Sequence, residues 1–193
     1  MSTARLTLSH DRGRTDVPLI EQTIGALFDD MVRRHPEQEA VVSVHQGVRL
    51  SYAQLHAQAE QLASALLHLG LVRGDRVGIW SHNNVEWLLM QLATAQVGLV
   101  LVNINPAYRT AELAYALNKV DCKALVTMAR FKTSDYLGML RELAPELSRC
   151  APGQLASDRL PHLRSVVWID VAGEGADEPG TLRFSELMAR GQV

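Results

Sequence analysis

Apolar residues along the chain follow two alternating rhythms. One recurs every three to four positions and predicts helices; the other comes in short unbroken runs and predicts strands covered on both faces. Over residues 23–35, Ile24, Leu27, Phe28, Met31 and Val32 share one helical stripe, and Pro36 stops it. AVVSV (40–44) and VRLS (48–51), joined across Gln46-Gly47, predict a short β-hairpin. SYAQ (51–54) is a capping box that opens a long helix. Tyr52, Leu55, Ala59, Leu62, Leu66 and Leu69 line one side of it, Gln54, Gln58, Gln61 and His68 the other, and Gly70 ends it.

The rhythms then repeat. Gly74-Asp75 is a turn, and residues 77–80 form an apolar strand without alternation. Asn83 with Glu86 reads as a second capping box before a helix over 84–97, which is apolar nearly all round and so should be deeply buried. Residues 99–102 read as another buried strand, leaving through Asn103, Asn105 and Pro106. A helix over 110–119, a strand over 124–127 and a helix over 133–144 closed by Pro145 follow. After a polar connector come a strand over 166–169, a mobile loop over 170–180 and a short helix over 184–189. Residues 1–17 read as a flexible polar tail. Repeated strand–helix–strand units predict right-handed βαβ crossovers. The fold class is α/β: an open, mainly parallel, doubly wound sheet of about four strands, helices on both faces and a short N-terminal β-hairpin.

Composition narrows the function classes. Hydrophobic residues make up 47 %, enough for a core, and the net charge is −2, so no nucleic-acid partner is expected. Lysine occurs only at Lys119, Lys123 and Lys132. Cys122 and Cys150 are too few for a disulfide framework and suggest a reducing compartment. The apolar region over 87–102 is broken by Gln91 and Gln96 and falls short of the roughly 20 residues that span a bilayer. The first residues lack a secretory signal's apolar run. The reading is a soluble, cytoplasmic protein without a transmembrane segment.

No catalytic constellation stands out. Gly70, Gly74 and Gly78 precede or lie in a strand, which is not the dinucleotide fingerprint. No lysine follows a glycine, so there is no P-loop; G-x-S-x-G and close histidine pairs are also missing. His82, between a strand end and a helix start, sits where an anion could bind, although its ordinary reading is an exposed loop histidine. Arg109 and Glu112 could touch a ligand; more simply they are a loop charge and a first-turn acid. Asn103 and Asn105 could line a crevice; more simply they satisfy a turn that Pro106 fixes. No catalytic, cofactor-binding or metal-binding residue is assigned.

Three segments in order carry a resemblance: PLIEQTIGALFDDMVRRHPEQEAVV, RLSYAQL, and GLVRGDRVGIWSHNNVEWLLMQLATAQVGLVLVNINPAYRTAELAYALN. Together they resemble the start of the adenylate-forming, AMP-binding ligases, and more narrowly their fatty-acyl-CoA synthetase branch, over residues 18 to about 143. RLSYAQL is similar to the family's first core motif, and the run through Asn105-Pro106 to its second. His82 departs from a position where the family often carries proline.

The resemblance implies that residues 18–193 are the N-terminal portion of the large AMP-binding domain. It implies a parent ligase that joins a fatty, medium- or long-chain, or other carboxylic acid to coenzyme A by way of an acyl-adenylate. ATP, Mg²⁺ and coenzyme A would be the parent's cofactors. The family's phosphate loop ending in Pro-Lys-Gly, its aromatic-Thr-Glu motif, its ribose acid and its mobile-domain lysine have no counterpart in these 193 residues. The chain alone is therefore expected to be inactive scaffold that binds no cofactor, and to self-associate, as a homodimer, through surface the rest of the domain would cover. The competing reading is a stand-alone, non-catalytic α/β module that binds a small ligand or a protein partner.

Overall fold

The computed structural model describes residues 13–170 and 178–192. The polar tail read over 1–17 and the loop read over 170–180 fall largely outside them. Helix α1 (Ile24–Arg34) leads into the antiparallel hairpin of β1 (Glu39–Ser43) and β2 (Val48–Ser51). Helix α2 (Tyr52–His68) follows at once, opened by the reciprocal box in which Gln54 N donates to Ser51 Oγ and Ser51 N donates to Gln54 Oε1. Strand β3 (Arg76–Trp80), α3 (Val85–Val97), β4 (Val100–Asn103), α4 (Thr110–Lys119) and β5 (Ala124–Met128) form the first crossovers. A small hairpin of β6 (Arg130–Phe131) and β7 (Ser134–Asp135) precedes α5 (Tyr136–Leu143) and a 3₁₀ turn (Pro145–Ser148). Strand β8 (Ser165–Ile169), β9 (Leu182–Arg183) and α6 (Phe184–Arg190) complete the described chain.

The sheet order is β4-β3-β5-β8-β9, all parallel. From β3 the chain steps outward to β4, then returns past β3 to reach β5. Two right-handed crossovers in opposite directions must place their helices on opposite faces. The packing agrees: α2 packs on α1, α3 and α6, and α1 on α3, while α4 packs on α5. The expected doubly wound α/β architecture is present, with five strands instead of four, because two-residue β9 is too short to leave a periodic signal.

The core lies where the unbroken apolar runs meet. Every residue of β5 and β8 is buried, as are the four from Val77 to Trp80 in β3. Gly78 is required by close approach: a Cβ there would stand 2.9 Å from Leu125 Cδ1 and 3.1 Å from Ile104 Cδ1. Gly70, just past α2, takes φ +82, the left-handed turn that ends a helix.

Five sequence expectations change. Strand β4 is not buried: it is the sheet edge, and Val100 is 48 % exposed. Its apolar run reports side-chain type, whereas burial depends on a neighbour on each side. Helix α3 buries one side only, through Val85, Leu89, Met90, Ala93 and Thr94; Trp87, Leu88 and Leu92 are half-buried. Its cap is Asn84 rather than Asn83, and Asn84 Oδ1 accepts from Trp87 N at 2.9 Å. Helix α5 begins three residues after the expected 133, because the β6–β7 hairpin takes up the intervening chain. On α1, Phe28 alone is buried, and Ile24 and Leu27 are exposed.

Leu62 of α2 is fully buried, at 0 % exposure, in this core. Leu62→Ala should lower unfolding stability by about 2–5 kcal/mol, as a transfer loss plus an incompletely collapsed cavity. Urea denaturation of the two proteins, compared at equal m-value, measures it.

Candidate functional site at the carboxyl edge of the sheet

In an open α/β sheet, ligands sit outside the carboxyl ends of the strands where successive connections diverge. That point lies here between β3 and β5, beyond the paired residues Trp80 and Thr127. Trp80 is fully buried, and its Nε1 donates to the Asn105 carbonyl at 3.1 Å. Its ring meets Tyr136 edge-on at 4.4 Å, and Tyr136 Oη donates to the Pro106 carbonyl at 3.1 Å. Thr127 Oγ1 donates to the Trp80 carbonyl at 2.9 Å. The end of β3, the exit of β4 and the start of α5 are thus tied through one aromatic pair. Burial raises the Tyr136 phenol's pKa, with a lesser opposing pull from Arg109, so it remains a donor.

The start of α3 projects from the same edge, but its amides serve the chain itself. Val85 N donates to Gln46 Oε1 at 2.9 Å, and Trp87 N to Asn84 Oδ1 at 2.9 Å. Gln46 Nε2 donates in turn to Glu86 Oε2 at 2.9 Å. A helix start already served by two side-chain oxygens and flanked by a carboxylate is a poor anion site.

His82 is set in this edge as part of a stack. Its ring lies flat on Phe131, with centroids 4.1 Å apart and planes 11° apart, and His45 stands tilted at 6.0 Å. His82 Nδ1 is buried without a hydrogen-bond partner. Desolvation first, then the nearby His45, lowers its pKa; Glu86 opposes both. At neutral pH the ring is uncharged, so it is packing and not the exposed loop side chain expected.

The other candidates stay apart. Arg109 Nη1 donates to Ser134 Oγ at 2.8 Å, and the Glu112 carboxylate accepts from Arg109 N at 3.1 Å, fastening the start of α4. Asn105 Oδ1 accepts from Ala107 N at 2.9 Å, closing a turn across Pro106. Asn103 ends β4 at a hollow of about 380 Å³ shared with Ile24, Thr94 and Leu101. The lysines are dispersed too. Lys123 pairs with Asp75 at 2.7 Å, beyond the opposite end of the sheet, and Lys132 Nζ lies 5.3 Å from the Phe131 ring centre. Sequence reasoning missed Gln46 and Phe131. Gln46 was legible only as a turn residue, and Phe131 lay just outside every periodic segment.

A hollow of about 610 Å³ lies away from this edge, among α1, α2 and α3, lined by Gly25, Ala26, Ala63 and Ala95 among others. The acids near it, Asp29 and Glu60, both pair with His56, at 3.0 and 3.3 Å. Among the described residues, no three His, Cys, Asp or Glu side chains are grouped to hold a metal ion. Dispersed lysines and occupied helix amides do not fit a triphosphate–Mg²⁺ site. What the carboxyl edge can do is present a rigid rim.

A doubly wound sheet with an ordered carboxyl rim defines the class of α/β proteins that mount ligands at strand ends. Within that class, the family model for AMP-binding enzyme matches residues 28–181, and the chain belongs to that family. It is 45 % identical over 184 residues to the medium-chain acyl-CoA ligase ACSF2, mitochondrial, of Rattus norvegicus, covering 95 % of this chain and 29 % of that protein. The Homo sapiens protein of the same name is 46 % identical over 186 residues, covering 96 % and 29 %. The fold matches a Mycobacterium tuberculosis fatty acyl CoA synthetase with TM-score 0.66 at 22 % identity, over 87 % of this chain and 28 % of that one. The chain thus spans under a third of the length of these relatives.

The two thiols differ in kind. Burial pushes Cys122 up to about 12, and its Sγ donates to the Ala124 carbonyl at 3.1 Å, whereas Cys150 is half-buried. Iodoacetamide at pH 8 should modify Cys150 first and reach Cys122 only on unfolding. Peptide mass spectrometry of native and urea-treated chain reads the order; equal native labelling would contradict it.

Proposed function

We propose that the chain is the N-terminal segment of an AMP-forming acyl-CoA synthetase acting on a fatty, medium- or long-chain, carboxylic acid. In the parent reaction, a carboxylate oxygen attacks the α-phosphorus of ATP and pyrophosphate leaves. The coenzyme A thiol then attacks the acyl carbonyl and AMP leaves. ATP, Mg²⁺ and coenzyme A belong to the parent. The observation that carries this reading is 45 % identity over 95 % of this chain to a medium-chain acyl-CoA ligase, in step with a family match over residues 28–181. Residues 18–193 are then one portion of the AMP-binding domain and supply its rim and scaffold.

Among the described residues, no helix is long and apolar enough to cross a membrane. Both cysteines are free thiols, which suits a reducing compartment, and the cytoplasm is our reading. The rat and human relatives are named as mitochondrial.

The 193-residue chain should show no ATP–pyrophosphate exchange with octanoate, decanoate or palmitate, whereas protein of the relatives' full length should. Exchange by the short chain would overturn the assignment of scaffold alone; its absence from a full-length protein offered all three acids would overturn the substrate class.

Strand β4 supports a second expectation. It carries no charge or proline, its outer edge is unpaired among the described residues, and exposed Ile24 of α1 lines the hollow beside it. Such edges seek pairing. The chain should therefore form dimers, seen as a concentration-dependent mass in light scattering. Val102→Lys, which places a charge on the edge strand, should shift the equilibrium towards monomer; a monomer at every concentration would contradict the dimer.

A further inference from the structure

Three separate segments meet at His82. The turn of the β1–β2 hairpin brings His45, the β3–α3 loop brings His82 itself, and the β6–β7 hairpin brings Phe131. The β6–β7 hairpin has only two residues on each strand, and such a ribbon is not stable by itself. Its contacts with the sheet edge are the Phe131–His82 stack and the Arg109–Ser134 hydrogen bond at 2.8 Å, while the bond of Tyr136 N to the Ala129 carbonyl at 3.0 Å closes the base of the hairpin itself.

We propose that His82 is a pH-operated latch: its neutral ring holds the β6–β7 hairpin onto the carboxyl edge of the sheet, beside the β1–β2 turn, and its protonation releases the hairpin. The inference does not depend on the activity proposed above.

The chemistry lies in Nδ1. A neutral imidazole can keep its single hydrogen on Nε2 and leave Nδ1 bare, whereas an imidazolium carries a hydrogen on both. Protonation would place a donor at a buried atom with no acceptor. An imidazolium would gain some attraction to the Phe131 face, but the same ring already interacts with the Lys132 ammonium at 5.3 Å. The charged groups around the ring oppose the proton on balance. His45 faces it from the β1–β2 turn, and Lys132 lies on the hairpin. Arg130 is paired with Asp135 at 3.3 Å, and Glu86 on α3, the one nearby acid that favours the charge, is engaged by Gln46 at 2.9 Å. Since the latched state resists the proton, the latch is fully closed above the ordinary histidine range, near pH 6.5. It weakens as pH falls from there through His82's own, lower titration.

Hydrogen exchange of the peptide spanning 129–136, in the whole 193-residue chain, tests this between pH 7.5 and 5.0. After correction for the chemical exchange rate, protection should fall roughly three- to tenfold in the wild type. In His82→Phe, which keeps a flat ring and loses the proton, protection should stay constant. His45→Gln should move the wild-type midpoint to higher pH. Equal falls in wild type and His82→Phe, or no fall in the wild type, would overturn the proposal. Should His82→Phe fail to fold, NMR titration of wild-type His82 decides. Its midpoint must lie below 6.5 and coincide with that of the Phe131 ring resonances, and separate midpoints overturn the latch.

Discussion

The carboxyl rim depends on burying the Trp80 indole with its N–H satisfied. A buried tryptophan contributes about 3–5 kcal/mol relative to alanine, and an unpaired buried N–H would cancel about 1–3 kcal/mol of that. The Asn105 carbonyl supplies the acceptor at 3.1 Å, so the chain leaving β4 has to pass over the end of β3. Pro106 then presents its carbonyl to Tyr136, whose ring closes the edge-on contact with Trp80. Each bond fixes a different segment, and together they explain why the stretch from Asn103 to Arg109 is shaped as a corner. Asn105 and Pro106 serve the geometry of the rim, whereas Asn103 ends β4 at the separate hollow.

The same economy governs α3. A helix start at a strand end is the usual place for a phosphate, yet here Gln46 reaches from another hairpin to accept from Val85 N, and Asn84 accepts from Trp87 N. The rim is finished with the chain's own side chains. The start of α3 therefore has two of its first amides already committed to side-chain oxygens of the chain itself.

How much of this was legible in the sequence follows from the range of each signal. The capping box at Ser51, the glycine after α2 and the buried run of β3 are local, and each predicted its element. The doubly wound order followed from the sequence of strands and helices alone. What failed was non-local. The apolar run of β4 could not reveal that it has a neighbour on one side only. Gln46 and Glu86 are forty residues apart in sequence yet hydrogen-bonded. His82 looked like a loop residue because nothing near it in sequence announces Phe131, which packs on it from the far side of β5. The family resemblance was legible for the opposite reason: it rests on ordered local motifs.

The edge strand and the rim are built in contrasting ways. At β5 and β8 the sheet is enclosed on every side, so the core needs nothing further. At β4 one side of the strand has no strand partner among the described residues, and apolar Ile24 of α1 is exposed beside it. Its sequence, Val-Leu-Val-Asn, carries no charged or proline gatekeeper, the devices that usually blunt a sheet edge. The carboxyl rim and the β4 edge are therefore opposite features of one sheet: the rim's polar groups are met by the chain's own side chains, whereas one side of β4 has no strand partner among the described residues.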